Sequence, residues 1–187
     1  MPQYSKLLAD YSADKLYYDF LKWLIEKNFY NTWEEKITIK KIATDFKNDT
    51  ARVTKWIREI YDDILELNYD RSELFYTSGI HVCLYLHNYD DYCNFYTSLQ
   101  VVPREFETVR FPFVQAKVGI DWFWVKTVDH KIVEESIVTI KLEGGSVNKY
   151  RELALDKALF QKRIHFMEVY HKDEIELDNE IRKIYRD

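Results

Sequence analysis

Hydrophobic positions along the chain follow a helical spacing up to about residue 72 and an alternating spacing after it. An apolar residue at every fourth position, Leu16, Phe20 and Leu24, predicts an amphipathic helix over residues 12–28. Further on, a short helix around Ala43 is predicted to precede a longer helix of about five turns. The apolar stripe of the longer helix consists of Val53, Trp56, Ile57, Ile60, Ile64 and Leu67.

Beyond residue 72, apolar and polar residues alternate, which is typical of strands with one buried face. The predicted strands are residues 81–87, 95–102, 106–111, 122–128 and 132–142. Because the connections between them are too short for helical crossovers, we expect a mostly antiparallel sheet. Helical spacing returns at residues 150–161 and 174–185.

The predicted fold class is therefore α+β. We expect two lobes, residues 1–88 and residues 89–187, and the second combines the sheet with the C-terminal helices. No flexible linker is expected, because only four Gly and three Pro are spread over the chain. The last helix carries the stripe Leu177, Ile181 and Ile184, which predicts a homodimer through that helix if the chain leaves the stripe bare.

Composition favours a cytoplasmic protein without a membrane anchor. The longest uncharged stretch, which includes residues 77–89 and extends back to residue 74, is too short to cross a bilayer. The two cysteines, Cys83 and Cys93, do not make a disulfide framework.

The chemistry-bearing residues do not match a known catalytic motif. The sequence has no Gly-rich phosphate loop, nucleophile elbow or kinase-like set, so we expect no enzyme and no cofactor. His81, Cys83 and His87 share one face of a predicted strand, but about 20 Å would separate the two histidines, which argues against a shared metal ion. In the cluster Trp122, Phe123 and Trp124, one side is expected in the core and the other is a candidate pocket wall.

Residues 40–66 carry the most informative pattern, KKIATDFKNDTARVTKWIREIYDDILE. Ala43 is small where a second helix would cross closely, and Asp49 is a good N-cap for that second helix. This pattern resembles the helix-turn-helix superfamily. The family often has Gly where this chain has Lys47, so Asn48 is expected to take the left-handed conformation of the turn.

The resemblance extends more loosely to winged helix-turn-helix proteins and covers residues about 12–88. It implies a helix at residues 12–28, a short strand at 37–39 and a β-hairpin at about 74–87.

The charge distribution adds a candidate partner. Between Lys36 and Ile60, seven basic and three acidic residues give +4, so the rest of this −5 protein carries −9. The resemblance implies that the second helix contacts double-stranded DNA, with basic residues also holding the backbone. The candidate DNA-binding residues are Lys40, Lys41, Lys47, Thr50, Arg52, Thr54, Lys55 and Arg58.

The predicted function is that of a DNA-binding protein acting as a transcriptional regulator. The alternative is a protein–protein interaction module that uses a winged-helix lobe without binding DNA. Asp62, Asp63 and Glu66 favour the alternative, because these later residues of the second helix would repel phosphate.

Overall fold

A computed structural model describes residues 2–28, 37–132 and 136–185 of the chain. The chain divides into two compact units, Met1–Gly144 and Gly145–Asp187, and each has its own hydrophobic cluster. The described part contains eight α-helices and one five-stranded sheet, which confirms the α+β class.

The first unit contains five of the helices and all of the strands. Its helices are α1 (Pro2–Ala9), α2 (Tyr18–Lys27), α3 (Ile39–Asp45), α4 (Thr50–Asp70) and α5 (Gln115–Val118), and its 3₁₀ turns are Ser72–Phe75 and Pro112–Val114. Its strands are β1 (Ile80–Asn88), β2 (Asp91–Leu99), β3 (Thr108–Arg110), β4 (Trp122–Lys131) and β5 (Ile137–Gly144). Residues 133–135, within the run predicted at 132–142, lie outside the described part.

The sheet has the strand order β2-β1-β5-β4-β3. Its β1–β2, β3–β4 and β4–β5 pairs are antiparallel, so the prediction of a mostly antiparallel sheet is confirmed. The β1–β5 pair is parallel, with Val82 opposite Val138. The chain returns to β1 only after forming β2, β3 and β4, so short local connections do not exclude a parallel pair.

One face of the sheet is covered by the helices of this unit. Alternate residues of β1, Val82, Leu84 and Leu86, are at most 4% exposed and belong to the same cluster as Phe20 and Val53. Helices α4 and α5 contact β2. The strand with one buried face predicted at residues 81–87 is therefore confirmed, and its buried face packs in the core.

The helix predicted at residues 12–28 and the hairpin predicted at residues 74–87 need correction. The helix predicted at residues 12–28 begins only at Tyr18, and Leu16 is 89% exposed rather than part of an apolar stripe. Residues 74–87 do not form a hairpin: they contain the end of a 3₁₀ turn and most of β1. The hairpin that follows α4 is instead β1–β2, and it belongs to the five-stranded sheet.

The expected lobe boundary after residue 88 falls inside this hairpin, whereas the compact units divide at residue 144.

Asn68 connects α4 to the edge of the sheet. Its side chain is fully buried, its Nδ2 donates to the Tyr96 carbonyl at 2.8 Å, and its Oδ1 accepts from the Tyr96 N–H at 2.9 Å. Because β2 is an edge strand among the described strands, the Asn68 amide takes the place of a neighbouring strand for the Tyr96 backbone and supplies both hydrogen bonds.

The second unit consists of α6 (Lys149–Phe160), α7 (Phe166–His171) and α8 (Glu174–Ile184). Leu177 and Ile181 of α8 are 4% and 7% exposed and pack with Ala158 and Ile164. Ile184 is partly buried against the same cluster. The C-terminal stripe is therefore covered within the chain and gives no reason to expect a homodimer.

No helix in residues 2–28, 37–132 and 136–185 combines the length and apolar character needed to cross a membrane.

We predict that Asn68→Ala lowers the free energy of unfolding of the first unit by about 1–3 kcal/mol, because it removes the side-chain partner of the N–H and the carbonyl of half-buried Tyr96. Urea unfolding followed by tryptophan fluorescence measures this, since all five Trp residues precede residue 125. Asp62→Ala, at an exposed position of the same helix, is the control and should change stability by less than about 0.5 kcal/mol. Equal losses in the two variants would contradict the role of the Asn68 amide.

Candidate nucleic-acid interface

Helices α3 and α4 are joined by a four-residue turn, and specific caps fix both ends of that turn. The predicted separation into a short helix around Ala43 and a longer helix that follows Asp49 is confirmed. Helix α3 starts after Thr38, whose Oγ1 accepts from the Lys41 N–H at 3.2 Å. The strand expected at residues 37–39 is wrong, because Thr38 is the N-cap of α3 and Ile39 is its first residue.

The end of α3 has the hydrogen bonds of a Schellman motif. The Asn48 N–H donates to the Ala43 carbonyl at 2.9 Å, and the Lys47 N–H donates to the Thr44 carbonyl at 3.1 Å. Lys47 has φ = 55°, so Lys47 itself takes the left-handed conformation and the prediction for Asn48 is wrong. The Asn48 Oδ1 instead accepts from the Asp49 N–H at 3.0 Å.

Asp49 begins the second helix as predicted. Its backbone is extended, and its Oδ1 accepts from the Arg52 N–H at 2.9 Å. This bond satisfies one of the free N–H groups of the first turn of α4, and the carboxylate also interacts favourably with the helix dipole.

Apolar contacts hold the two helices together. Ala43 and Val53 are 3% and 0% exposed, whereas Phe46 and Ile57 are partly buried and pack against the same cluster. The Phe46 ring lies 5.0 Å from Phe20, 5.2 Å from Trp23 and 6.2 Å from Trp56 between centroids. This aromatic cluster joins α2, the end of α3 and α4. The orientation of α4 therefore depends on its contacts with both of the other helices.

The structure places the candidate DNA-binding side chains at the surface of α3, the turn and the first turns of α4. Thr54 is half-buried, and its Oγ1 donates to the Thr50 carbonyl at 2.7 Å, so this hydroxyl already has a backbone partner. The other seven are exposed: Lys40, Lys41, Lys47, Thr50, Arg52, Lys55 and Arg58.

Arg52 and Lys55 already have carboxylate neighbours. Arg52 Nε lies 3.8 Å from the Asp49 carboxylate, and Lys55 Nζ lies 3.6 Å from that of Glu59. The Arg52 guanidinium also lies 5.9 Å from the centre of the Trp56 ring, one helical turn further along. These contacts orient the two side chains but leave them accessible, with 60% of Arg52 and 73% of Lys55 exposed.

The exposed face of α4 changes sign along its length. Lys55 and Asp62 lie seven positions apart and therefore point in nearly the same direction, and Glu66 follows one turn later. The first nine residues of the helix carry only basic charges on this face, and the later residues carry acidic ones. Only the N-terminal half of α4 is thus suited to an anionic partner.

Asp63 differs from these exposed acids because it is engaged within the unit. Its carboxylate lies 3.1 Å from Lys15 Nζ and accepts a hydrogen bond from the hydroxyl of buried Tyr17. Burial, followed by this hydrogen bond, raises the pKa of Tyr17, and the same carboxylate raises the pKa of Lys15. Asp63 is therefore compensated locally and contributes less than expected to repulsion of a phosphate.

The other candidate sites from the sequence have structural roles. His87 Nδ1 lies 2.7 Å from the Glu143 carboxylate, and the His81 ring stacks on Tyr76 with centroids 4.1 Å apart. In the described ranges, no group of three or more His, Cys, Asp or Glu side chains is placed to hold a metal ion. Phe123 and Trp124 are 0% and 6% exposed, and only Trp122 of that cluster is accessible.

Comparison with known proteins assigns no family, because the chain matches no protein-family model, no curated protein and no solved structure. The function of this surface therefore has to be inferred from its own residues.

We predict that Asp49→Ala lowers the free energy of unfolding by about 1 kcal/mol, because the N-cap hydrogen bond to Arg52 is lost. Asp49→Asn retains a capping oxygen and is expected to lose less than half of that amount. Urea unfolding of both variants, followed by tryptophan fluorescence, makes the comparison. A loss as large in Asp49→Asn as in Asp49→Ala would show that the negative charge, and not the cap, provides the stability.

Proposed function

We propose that this protein binds double-stranded DNA through the α3–turn–α4 unit, with the first turns of α4 in the major groove. The observation that carries the proposal is the charge on the exposed face of α4. Arg52, Lys55 and Arg58 lie on its first three turns, and the acidic positions Asp62 and Glu66 begin only further along. A helix that enters the groove by its N-terminal end would present the cations and keep the acids away from the phosphates.

The size of the side chains at the start of α4 supports the same docking geometry. Thr50 and Ala51 are exposed and short, so the end of the helix can approach base edges closely. A helix with its side chains is about 10–12 Å across, and the major groove is about 12 Å wide. Arg52 and Lys55, one turn apart on the exposed surface, are the side chains long enough to reach guanine acceptors.

In this proposal the remaining cations hold the DNA backbone. Lys40 and Lys41 are exposed on the first turn of α3, and Lys47 is exposed in the turn that follows α3. Phosphate contacts of this kind set the orientation of a protein on the duplex without specifying sequence.

The existing ion pairs do not prevent this use of Arg52 and Lys55. Exposed pairs such as Arg52–Asp49 and Lys55–Glu59 contribute about 0–1 kcal/mol each. A good bidentate contact to a base discriminates by about 1–3 kcal/mol, so DNA can displace the carboxylates.

The resemblance to helix-turn-helix proteins supports a role in transcriptional regulation. A cytoplasmic location fits this role, and Cys83 and Cys93, which are both free thiols, suit a reducing compartment.

One observation favours the alternative function, in which the same surface binds a protein. Asp62 and Glu66 continue the line of Lys55 on α4, so the whole helix presents a face with both signs of charge. A face that carries both signs of charge suits a partner helix with complementary charges of both signs better than it suits a polyanion.

We predict that the double variant Arg52→Ala/Lys55→Ala weakens binding to duplex DNA at least about 10-fold while changing the free energy of unfolding by less than about 1 kcal/mol. The structural reason is that both side chains are exposed and their ion pairs are weak. Fluorescence anisotropy with a labelled duplex measures the affinity.

The matched control is Lys131→Ala/Lys183→Ala, which removes two exposed positive charges outside α3 and α4. It should leave the DNA affinity within about 2-fold of the unchanged protein. Similar losses in both double variants would mean that attraction to DNA is diffuse. Unchanged affinity in Arg52→Ala/Lys55→Ala would transfer support to the protein-binding alternative.

We also predict a steep salt dependence. If Lys40, Lys41, Lys47 and Arg58 meet phosphates while Arg52 and Lys55 read bases, the slope of log K against log salt concentration approaches about −4, and phosphate contacts by all six would bring it to about −5. Each phosphate contact removed by mutation should reduce the magnitude of the slope by about one, whereas a contact to a base edge should change the affinity more than the slope. Absence of duplex binding at low salt would reject the DNA-binding proposal.

A further inference from the structure

The first unit contains a cavity of about 540 Å³ behind α4. Ile57, Ile60, Tyr61 and Ile64 of α4 form one wall, and Phe113, in the 3₁₀ turn before α5, contributes to another. The volume lies within the range of about 300–1,000 Å³ that is usual for sites that bind small molecules.

The lining of the cavity indicates the chemistry of a ligand. None of the described residues that line it carries a charged side chain, although 32% of all residues in the chain are Asp, Glu, Lys or Arg. The Tyr61 and Phe113 rings lie 5.2 Å apart and provide aromatic surface, and Ser5, Gln115 and the Tyr61 hydroxyl are the polar groups. Such a lining disfavours a phosphate, a peptide terminus or any other ion, and it favours a neutral aromatic molecule.

Tyr61 remains uncharged in this environment. Burial is the main reason why the pKa of Tyr61 is raised to about 12, so its phenol is not ionised at neutral pH. The cavity therefore acquires no charge from its own wall.

The cavity lies on the side of α4 that is turned away from the proposed DNA-contacting face. Nine positions separate Lys55 from Ile64, which at about 100° per residue places their side chains on opposite sides of the helix. A molecule that fills the cavity contacts α4 on the side opposite Lys55. Any shift of α4 that the molecule favours also moves Arg52, Lys55 and Arg58.

We propose that this cavity binds a neutral, largely apolar aromatic small molecule, and that its occupancy alters the affinity of α4 for DNA. The second half of this proposal rests on the proposed function, and the first half does not. The coupling requires only that the ligand prefers one position of α4 over another, and by linkage DNA must then alter the affinity for the ligand by the same factor.

The first experiment tests the cavity with 1-naphthol as the probe. In protein labelled at the isoleucine δ1-methyl groups, the NMR signals of Ile57, Ile60 and Ile64 should shift and saturate below about 1 mM naphthol. Ile140, in the core of the sheet, and Ile181, in the second unit, should not shift. Absence of shifts at the three cavity residues overturns the proposal, and so do shifts that are equal at all five.

A matched pair of variants locates the probe. Ala116 is exposed and lines the cavity, so Ala116→Trp should occupy its opening and weaken naphthol binding at least about 10-fold. Lys117→Trp places the same ring on the neighbouring exposed residue, outside the lining, and should leave binding within about 2-fold. Equal binding to both variants overturns the assignment of the site. Methyl shifts that depend on the protein concentration instead of the naphthol concentration also overturn it, because a second copy of the chain would then occupy the cavity.

The second experiment tests the coupling. Duplex affinity is measured with and without saturating naphthol, and a change of at least about 5-fold is expected in the unmodified protein and none in Ala116→Trp. An unchanged affinity rejects the regulatory role while leaving both the cavity and DNA binding in place. If the protein binds no duplex at all, the proposed function and the regulatory role fail together, and the methyl shifts still decide the cavity.

Discussion

Burial of the apolar face of α4 is the interaction on which the first unit depends. Val53, Ile60 and Ile64 are 0%, 7% and 3% exposed, and burying side chains of this size contributes roughly 1.5–3 kcal/mol each. Helices α1 and α3 and strand β2 all contact this one helix. Because the helix is continuous from the Asp49 cap to the hydrogen bonds of Asn68 with β2, the basic face near its start has a defined position relative to the sheet. An exposed surface mounted on a packed helix keeps its geometry better than one carried by a loop.

Local features of the fold could be predicted from the sequence, and nonlocal ones could not. The two helices around Asp49 follow from an apolar period and a capping residue, which are properties of neighbouring positions. Helix α1 was missed because its eight residues carry only Tyr4, Leu7 and Leu8 at helical spacing, which is too short a period to distinguish a helix. The stripe of Leu177 was predictable, but its partner Ala158 was not, since a period indicates that a face is buried without indicating against what.

In the candidate site, too, the local features could be predicted from the sequence and the nonlocal ones could not. Helical spacing was sufficient to place the six exposed candidates of α3 and α4 at the surface, because outward positions follow from the inward ones. The left-handed Lys47 was not predicted, since residue preference favours Asn and only the hydrogen bonds to Ala43 and Thr44 determine which residue takes that conformation. The cavity gives no signal in the sequence at all. Its walls meet only because Phe113 packs beside Tyr61, 52 positions earlier in the chain.

The central position of β5 has a consequence for how the chain folds during synthesis. Strand β5 is the last strand to be made, yet it lies between β1 and β4, so the middle of the sheet stays open until residue 144 has left the ribosome. Until then, β1 and β4 both present unpaired edges that can join other chains. Closing the sheet brings together β1 and β5, whose paired residues Val82 and Val138 are 56 positions apart, and contacts of such high sequence separation slow folding. A nascent chain that pauses before β5 is therefore the form of this protein most exposed to aggregation.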